Sequence, residues 1–350
     1  MRILLSKPKY VGDALLLTPT VAALRARYPR AEIWVLVRQG SEGILRGCPA
    51  IDRIVTVSAA PIGERRSRLN WLYDIRLMLA LRRRRFDYWF ELGDVHRARW
   101  FALVCGARHV YSTRPRTPLG WFWRLPFHGL SRYEWFGRHR VLKDYRSVTE
   151  FLELPDETPL PLIFERDRAV PWPPGDALTD FAVIHPGTRD RGKHWPIERW
   201  REVGRYLLTR FAHVVISVGP LPEEQEEARW LARELGPRAL SMGGATTLPQ
   251  LAFMLHRASL FVGIDTAAMH LAAACQTPIV ALFGPSMESE WHPWRAPYRI
   301  VAPAEGTPAE EIPVRGGEPR RMEDIAVADV TAACEEMLAS ARAAGRGKAH

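Results

Sequence analysis

The stretch Phe261–Ser286, FVGIDTAAMHLAAACQTPIVALFGPS, decides the fold. Leu260-Phe261-Val262-Gly263 carries a short apolar strand to its carboxyl end. Asp265 and Thr266 stand where a helix begins, and both are good N-terminal cap residues. Met269 to Ala274 continues as a small apolar helix. The β-branched run from Pro278 to Phe283 reads as a second, buried parallel strand, closed by Gly284-Pro285. A helix that starts at the carboxyl edge of a parallel sheet aims free N–H groups and a positive dipole into the crevice there, where phosphate-bearing ligands bind. A carboxylate at that place repels phosphate. Asp265 is therefore either a structural cap or a grip on a sugar hydroxyl, beside N–H groups that hold the phosphate.

The same alternation of strand and helix extends outward in both directions. Toward the N-terminus, Ile3-Leu4-Leu5 is a first strand, Ser6 to Gly12 a loop, and Asp13 opens a helix that runs to about Tyr28 and ends at Pro29. Further strands are expected at Glu32–Val37, Arg53–Val57 and Tyr88–Phe90, with a helix over Leu72–Arg83. In the second half, strands at Phe181–Ile184, Val214–Val218 and Ala239–Met242 alternate with helices at Ile197–Arg210, Glu223–Leu235 and Leu248–Leu255. Such alternation implies an α/β fold with doubly wound parallel sheets.

A chain of 350 residues is long for one core, and two domains are the natural division. The proline-rich stretch from Pro155 to Gly175 reads as linker and crossover. It sets an N-terminal domain over residues 1–171 and a C-terminal domain over residues 172–324, followed by a helix from Ile325 to Ala344 and an expected disordered tail at 345–350.

The hydrophobic fraction of 47% is that of a globular protein with apolar residues enough for two cores. No apolar run reaches the length of about 18 residues that a membrane span needs. The start, MRILLSKPKYVGD, reads as a first strand and not as a signal peptide. Cys48, Cys105, Cys275 and Cys334 stand far apart with no metal-ligand spacing, as in a reduced cytoplasmic protein with structural thiols. The formal charge of +10 implies an anionic partner, for which nucleic acid, a phosphorylated glycolipid and an acidic membrane surface all have the right sign. No zinc finger, RRM signature or basic zipper favours nucleic acid.

From Arg114 to Arg140 the chain changes character. Trp121, Phe122, Trp123, Phe127, Tyr133, Trp135 and Phe136 alternate with Arg114, Arg116, Arg124, Arg132, Arg138 and Arg140. Two readings stand: a surface loop anchored by its rings, or an interfacial patch whose rings sit at headgroup depth while arginines meet phosphates.

Asp13 is the leading candidate for a general base, since a carboxylate in reach of an attacking hydroxyl can take its proton; a helix cap is the alternative. His185-Pro186-Gly187-Thr188, at the end of an apolar strand, brings a glycine backbone and a hydroxyl donor to a sheet edge, with Lys193 following as a point charge. His270 lies one turn beyond Thr266 and is either a phosphate donor or a buried core histidine.

Three co-linear stretches carry a family resemblance. They are Val11-Gly12-Asp13-Ala14-Leu15-Leu16-Leu17-Thr18-Pro19, then His185-Pro186-Gly187-Thr188 with Lys193-His194-Trp195-Pro196, then Gly263 to Ala274 with Thr277-Pro278 and Ala281 to Pro285. Together they resemble glycosyltransferase family 9, the heptosyltransferases of lipopolysaccharide inner-core assembly. The resemblance implies the GT-B architecture: two Rossmann-like domains facing a cleft, the first binding the acceptor and the second the nucleotide sugar, with the C-terminal helix packing back on the N-terminal domain. It implies an inverting transferase that moves heptose from ADP-L-glycero-β-D-manno-heptose to phosphorylated inner-core lipopolysaccharide. Asp13 would be the base. Thr188 and Lys193 would meet the diphosphate, Asp265 and Thr266 the donor sugar and diphosphate, and Glu223 or Glu224 the donor nucleoside. Arg114, Arg116 and Arg124 are candidates for the acceptor. No cofactor is implied beyond the donor, no DxD-like motif calls for a metal, and no nucleic-acid partner is expected. The place implied is the cytoplasm, peripherally associated with the inner face of the inner membrane. Ala267 and Ala268 stand where the family commonly has Gly-Pro, a departure that keeps the turn small. Trp291-His292-Pro293-Trp294 resembles an element of the heptosyltransferase III branch. Another nucleotide-sugar donor for a different surface glycan, and a non-catalytic nucleotide-sugar or nucleic-acid binder, are the alternatives.

Overall fold

The computed structural model describes residues 1–59, 67–154, 159–309, 311–312 and 316–343. Two compact units divide the chain, Met1–Ile163 and Phe164–His350. The first unit holds strands β1 (Arg2–Lys7), β2 (Glu32–Arg38), β3 (Arg53–Val57), β4 (Tyr88–Glu91), β5 (His109–Ser112) and β6 (Gly129–Leu130). Its helices are α1 (Val11–Leu15), α2 (Thr18–Arg27), α3 (Glu42–Leu45), α4 (Arg68–Arg83), α5 (His96–Val104), α6 (Trp121–Arg124) and α7 (Arg140–Thr149). In the second unit the strands are β7 (Phe181–His185), β8 (His213–Ile216), β9 (Ala239–Ser241), β10 (Leu260–Ile264), β11 (Ile279–Leu282) and β12 (Tyr298–Val301). They alternate with α8 (Ile197–Leu207), α9 (Pro222–Leu235), α10 (Leu248–Arg257), α11 (Ala267–Ala274) and α12 (Glu288–Trp291), and α13 (Val327–Ala343) closes the chain.

Each unit is a six-stranded parallel sheet, and the two share one strand order. The first runs β3-β2-β1-β4-β5-β6 and the second β9-β8-β7-β10-β11-β12. In each, the order reverses direction beside the unit's first strand, between β1 and β4 and between β7 and β10. Ligands of open α/β sheets bind outside the carboxyl ends of the strands at that reversal. Register places Ser6 opposite Glu91 in the first sheet and Gly263 opposite His185 in the second. The strands read as continuous apolar runs because helices cover the faces, as the fully buried β7, β10 and β11 show.

Two expectations differ from the structure in instructive ways. The helix expected from Asp13 to about Tyr28 is two helices. Pro19 has no N–H to bond back to the Leu15 carbonyl, and the Thr18 hydroxyl donates to that oxygen instead at 2.8 Å. The domain boundary falls after Ile163 and not after residue 171. Phe164 is buried and its carbonyl faces His256 Nε2 at 3.2 Å, while the Val170 N–H donates to Pro249 at 3.0 Å, so this segment belongs to the second unit. The C-terminal helix contributes to the core of the second unit. Val330, Ala333, Cys334 and Met337 of α13 lie in the second unit's core with Val280, Leu282 and Val301. Residues 345–350, expected as a disordered tail, and 155–158 of the expected linker lie outside the described residues.

No helix among the described residues is long and apolar enough to cross a membrane. All four cysteines are buried as free thiols.

Candidate functional site

Two constellations stand at the two strand reversals, one in each unit. In the first unit, Lys7 ends β1 with its side chain buried. Its Nζ donates to Asp144 Oδ2 on α7 at 2.5 Å and lies 3.9 Å from Asp13 Oδ1. Asp13 occupies the first turn of α1, whose cap position is Tyr10, so it is not the cap. Its side chain keeps about a tenth of its surface exposed, at 10%, whereas that of Asp144 has none, at 0%. Burial raises the Asp144 carboxyl above its usual range, opposed by the neighbouring Lys7 and Lys143.

Beside this pair, Lys143 is buried with Nζ 4.7 Å from the Trp135 ring centroid. Burial brings its ammonium down to about 8; Asp144 works against that shift and Lys9, Lys7 and Arg140 add to it. Glu91, the last residue of β4, is fully buried and its carboxyl is raised by burial. Ser112 donates to its Oε2 at 2.9 Å, and the N–H groups of Gly93 and Asp94 donate to Oε1 at 2.8 and 2.9 Å. Asp94 in turn pairs with Arg99 at 2.5 Å. Of this group only Asp13 was read as a site residue from sequence. The signals for the others are Lys7 and Glu91, which end apolar strands with a charge. Asp144 also shares a helical face with the buried Val141 and Val148, at spacings of three and four residues.

Two of the arginines proposed for an acceptor reach the edge of that cluster through their backbone: the Arg116 N–H donates to Asp94 Oδ2 at 3.4 Å, and the Arg114 carbonyl accepts from Trp135 Nε1 at 2.7 Å. Arg114 follows β5 and pairs with Glu134 at 2.8 Å on the surface. Arg116 stacks over Phe136 at 4.8 Å, and Arg124 ends α6. Within the aromatic segment Trp135 is buried, while Trp121 is 78% exposed.

In the second unit, β7 delivers His185 to the sheet edge, where its Nδ1 lies 2.6 Å from Ser217 Oγ. Burial lowers the imidazole to about 4, which makes it a neutral structural partner of Ser217. Thr188 accepts from the Asp190 N–H at 3.1 Å, and Asp190 caps the turn Arg191–Lys193 through the Gly192 N–H at 3.0 Å. That turn sends Lys193 toward the end of β10. Its Nζ lies 2.6 Å from Asp265 Oδ2 and 3.4 Å from the Asp265 carbonyl. His270 Nε2 stands 3.9 Å from Asp265 Oδ1, so α11 closes a row in which Lys193 is half-buried and Asp265 and His270 are buried. The Trp291 ring packs near His270 at 6.2 Å between centroids.

Thr266 is the N-cap of α11 without a side-chain cap hydrogen bond, and its Oγ1 is buried with no partner among the described residues. Ala267 opens the helix. Glu223 and Glu224 separate clearly: Glu223 is exposed, and Glu224 is buried against Gly187 and Gly219. A Cβ on Gly219 would overlap Glu224 Oε2. Burial raises the Glu224 carboxyl, opposed by the Gly219 N–H and by Arg189. Lys193, Asp265, Thr266 and His270 therefore meet at one strand end, with Glu224 beside the glycines of the neighbouring loops. Among the described residues, no group of three or more His, Cys, Asp or Glu side chains is placed to hold a metal ion.

Residues 75–313 match the family model described as Glycosyltransferase family 9 (heptosyltransferase). Lipopolysaccharide heptosyltransferase 3 of Escherichia coli K12 is 28% identical over 94% of this chain and 96% of its own length. The crystal structure of the glycosyl transferase family 9 protein from Veillonella parvula superposes with a TM-score of 0.81 at 22% identity, covering 97% of both chains. Heptosyltransferase WaaC of E. coli, solved with ADP-2-deoxy-2-fluoro heptose, superposes with a TM-score of 0.74 at 19% identity, covering 96% of this chain and 99% of that one.

Proposed function

We infer that this chain, which belongs to glycosyltransferase family 9, moves heptose with inversion from ADP-L-glycero-β-D-manno-heptose to a phosphorylated inner-core lipopolysaccharide acceptor. The observation that carries the reading is the row of Lys193, Asp265 and His270 at the strand reversal of the second sheet, beside an unpartnered Thr266 hydroxyl at a helix N-terminus. A cation, a hydroxyl and helix N–H groups receive a diphosphate, and a carboxylate beside them accepts from a sugar hydroxyl. The names of the relatives, heptosyltransferase 3 and an enzyme solved with an ADP-heptose analogue, support this donor and the branch to which Trp291 to Trp294 pointed.

In the proposed reaction the acceptor hydroxyl attacks the anomeric carbon on the face opposite ADP. Asp13 takes the hydroxyl proton as the new C–O bond forms and the bond to the diphosphate oxygen breaks. Lys193, Thr188 and the N-terminus of α11 stabilise the charge that develops on the leaving ADP. Glu224, and not the exposed Glu223, accepts from the ribose. Arg114, Arg116 and Arg124 serve the acceptor's phosphates, and the lipid-linked acceptor places the enzyme peripherally at the inner membrane surface.

Titration calorimetry with ADP-heptose, ADP-glucose, UDP-glucose and GDP-mannose tests the donor, followed by transfer to heptose-deficient lipopolysaccharide. Selective binding of ADP-sugars and transfer of heptose are expected. Preference for UDP or GDP donors overturns the substrate, and binding of none of them overturns the donor site.

A further inference from the structure

The outward face of α4 is unlike that of a solvated helix. Leu69, Trp71, Leu72, Ile75 and Leu79 all project into solvent, and Leu69 is 75% exposed. Arg68, Arg76 and Arg83 are exposed between them, and at 100° per residue they fall on the same side of the cylinder. The helix has a single acid, Asp74, which turns inward and is held by Arg97 of α5 at 2.6 Å. The opposite side of α4 is accounted for: Leu77, Met78 and Leu81 pack on the core of the first sheet, as Phe101 and Ala102 of α5 do. Next to it, Trp100 of α5 is exposed and meets Trp123 edge-on at 5.2 Å, near the exposed Trp121 of α6.

We propose that this outer face of α4 lies flat on an anionic lipid bilayer, with Leu, Ile and Trp side chains at the acyl boundary and arginines at the headgroup phosphates. Apolar residues interleaved with cations on one helical face match that surface and few others. A second copy of the chain across a two-fold axis would set arginine against arginine. Nucleic acid would satisfy the cations and leave the aliphatic side chains against phosphate and water. The proposal rests on the reading of a lipid-anchored acceptor and names the element that brings the enzyme to it.

Flotation of the full chain with phosphatidylethanolamine vesicles, with and without phosphatidylglycerol, tests this without donor or acceptor. Its failure is thus separate from failure of the transferase reading. The protein is expected to float with the anionic vesicles alone and to be released by salt. Leu72→Ser with Leu79→Ser, and Arg76→Glu with Arg83→Glu, should each lower vesicle partition about tenfold or more. Both pairs should leave thermal unfolding, and transfer to a deacylated, water-soluble acceptor, unchanged. Flotation of both variants like the parent, equal binding to neutral vesicles, or a dimer that these substitutions dissociate would each overturn the proposal.

Discussion

Lys193 Nζ and Asp265 Oδ2 sit 2.6 Å apart, joining the loop after β7 to the end of β10. The pairing answers the difficulty that a carboxylate poses beside a phosphate site. The two charges balance each other at the sheet edge, and in the proposed function a diphosphate would share the cation while the carboxylate turns to the sugar. Lys193→Ala is expected to weaken ADP binding about tenfold or more, because it removes the cation and leaves Asp265 facing the phosphates. Asp265→Asn should leave ADP binding undiminished and abolish the preference for ADP-heptose over ADP. Calorimetry on both variants decides; unchanged ADP affinity in Lys193→Ala removes Lys193 from the diphosphate site.

Asp13→Asn keeps the shape of the side chain and removes its basicity. Turnover should fall about 100-fold or more, with donor affinity within about twofold of the parent. Lys7 supports this position differently. Lys7→Met leaves Asp144 buried without its cation, which should cost about 3–5 kcal/mol in denaturant unfolding. A Lys7→Met, Asp144→Leu double variant should recover much of that stability while remaining slow. If the double variant turned over at the parent rate, Lys7 would have no part in holding Asp13.

The second constellation was legible in the sequence because its parts are local. Glycine, threonine and aspartate at strand ends announce a sheet edge and a helix start, so Thr188, Asp265 and Thr266 could be placed there from the chain alone, whereas the family resemblance singled out Lys193. What joins them, the ion pair between residues 193 and 265, is a tertiary contact with no local signal. The first constellation was mostly hidden for the same reason. Lys143 and Asp144 are charges on an amphipathic helix, a pattern that ordinarily faces solvent, and here the fold turns them inward. The choice between Glu223 and Glu224 also needed the structure, since only helix rotation separates an exposed carboxylate from a buried one. The domain boundary falls inside the proline-rich stretch at 155–175, because composition marks that stretch as a connection without showing that residues from Phe164 onward pack with the second unit.

Gly219 is required by close approach. Gly219→Ala would drive its methyl into Glu224 Oε2 and displace the carboxylate from the loop. Nucleoside recognition should suffer first: affinity for ADP should drop about tenfold, while affinity for inorganic pyrophosphate stays the same. Glu224→Gln, which fits the same space, should lose less. Equal losses for ADP and pyrophosphate in Gly219→Ala would mean that the alanine disturbs the phosphate loop and not Glu224.

Lys143 gives the first unit a stability that depends on pH in an unusual sense. Burial lowers its ammonium to about 8 in the folded protein, whereas in the unfolded chain it titrates near 10.4, the ordinary lysine value. Between these values the unfolded state binds more protons than the folded state, so this group makes stability rise with pH through the window. Below about 8 the full cost of burying the charge is present, and above about 10.4 it is gone. Lys143→Met removes the group, so the stability of the parent minus that of the variant should climb by an amount on the order of 2 kcal/mol from pH 8 to 10. Urea unfolding of both proteins across that range measures it. A flat difference would mean that the cation–π contact with Trp135 and the nearby Asp144 offset the burial.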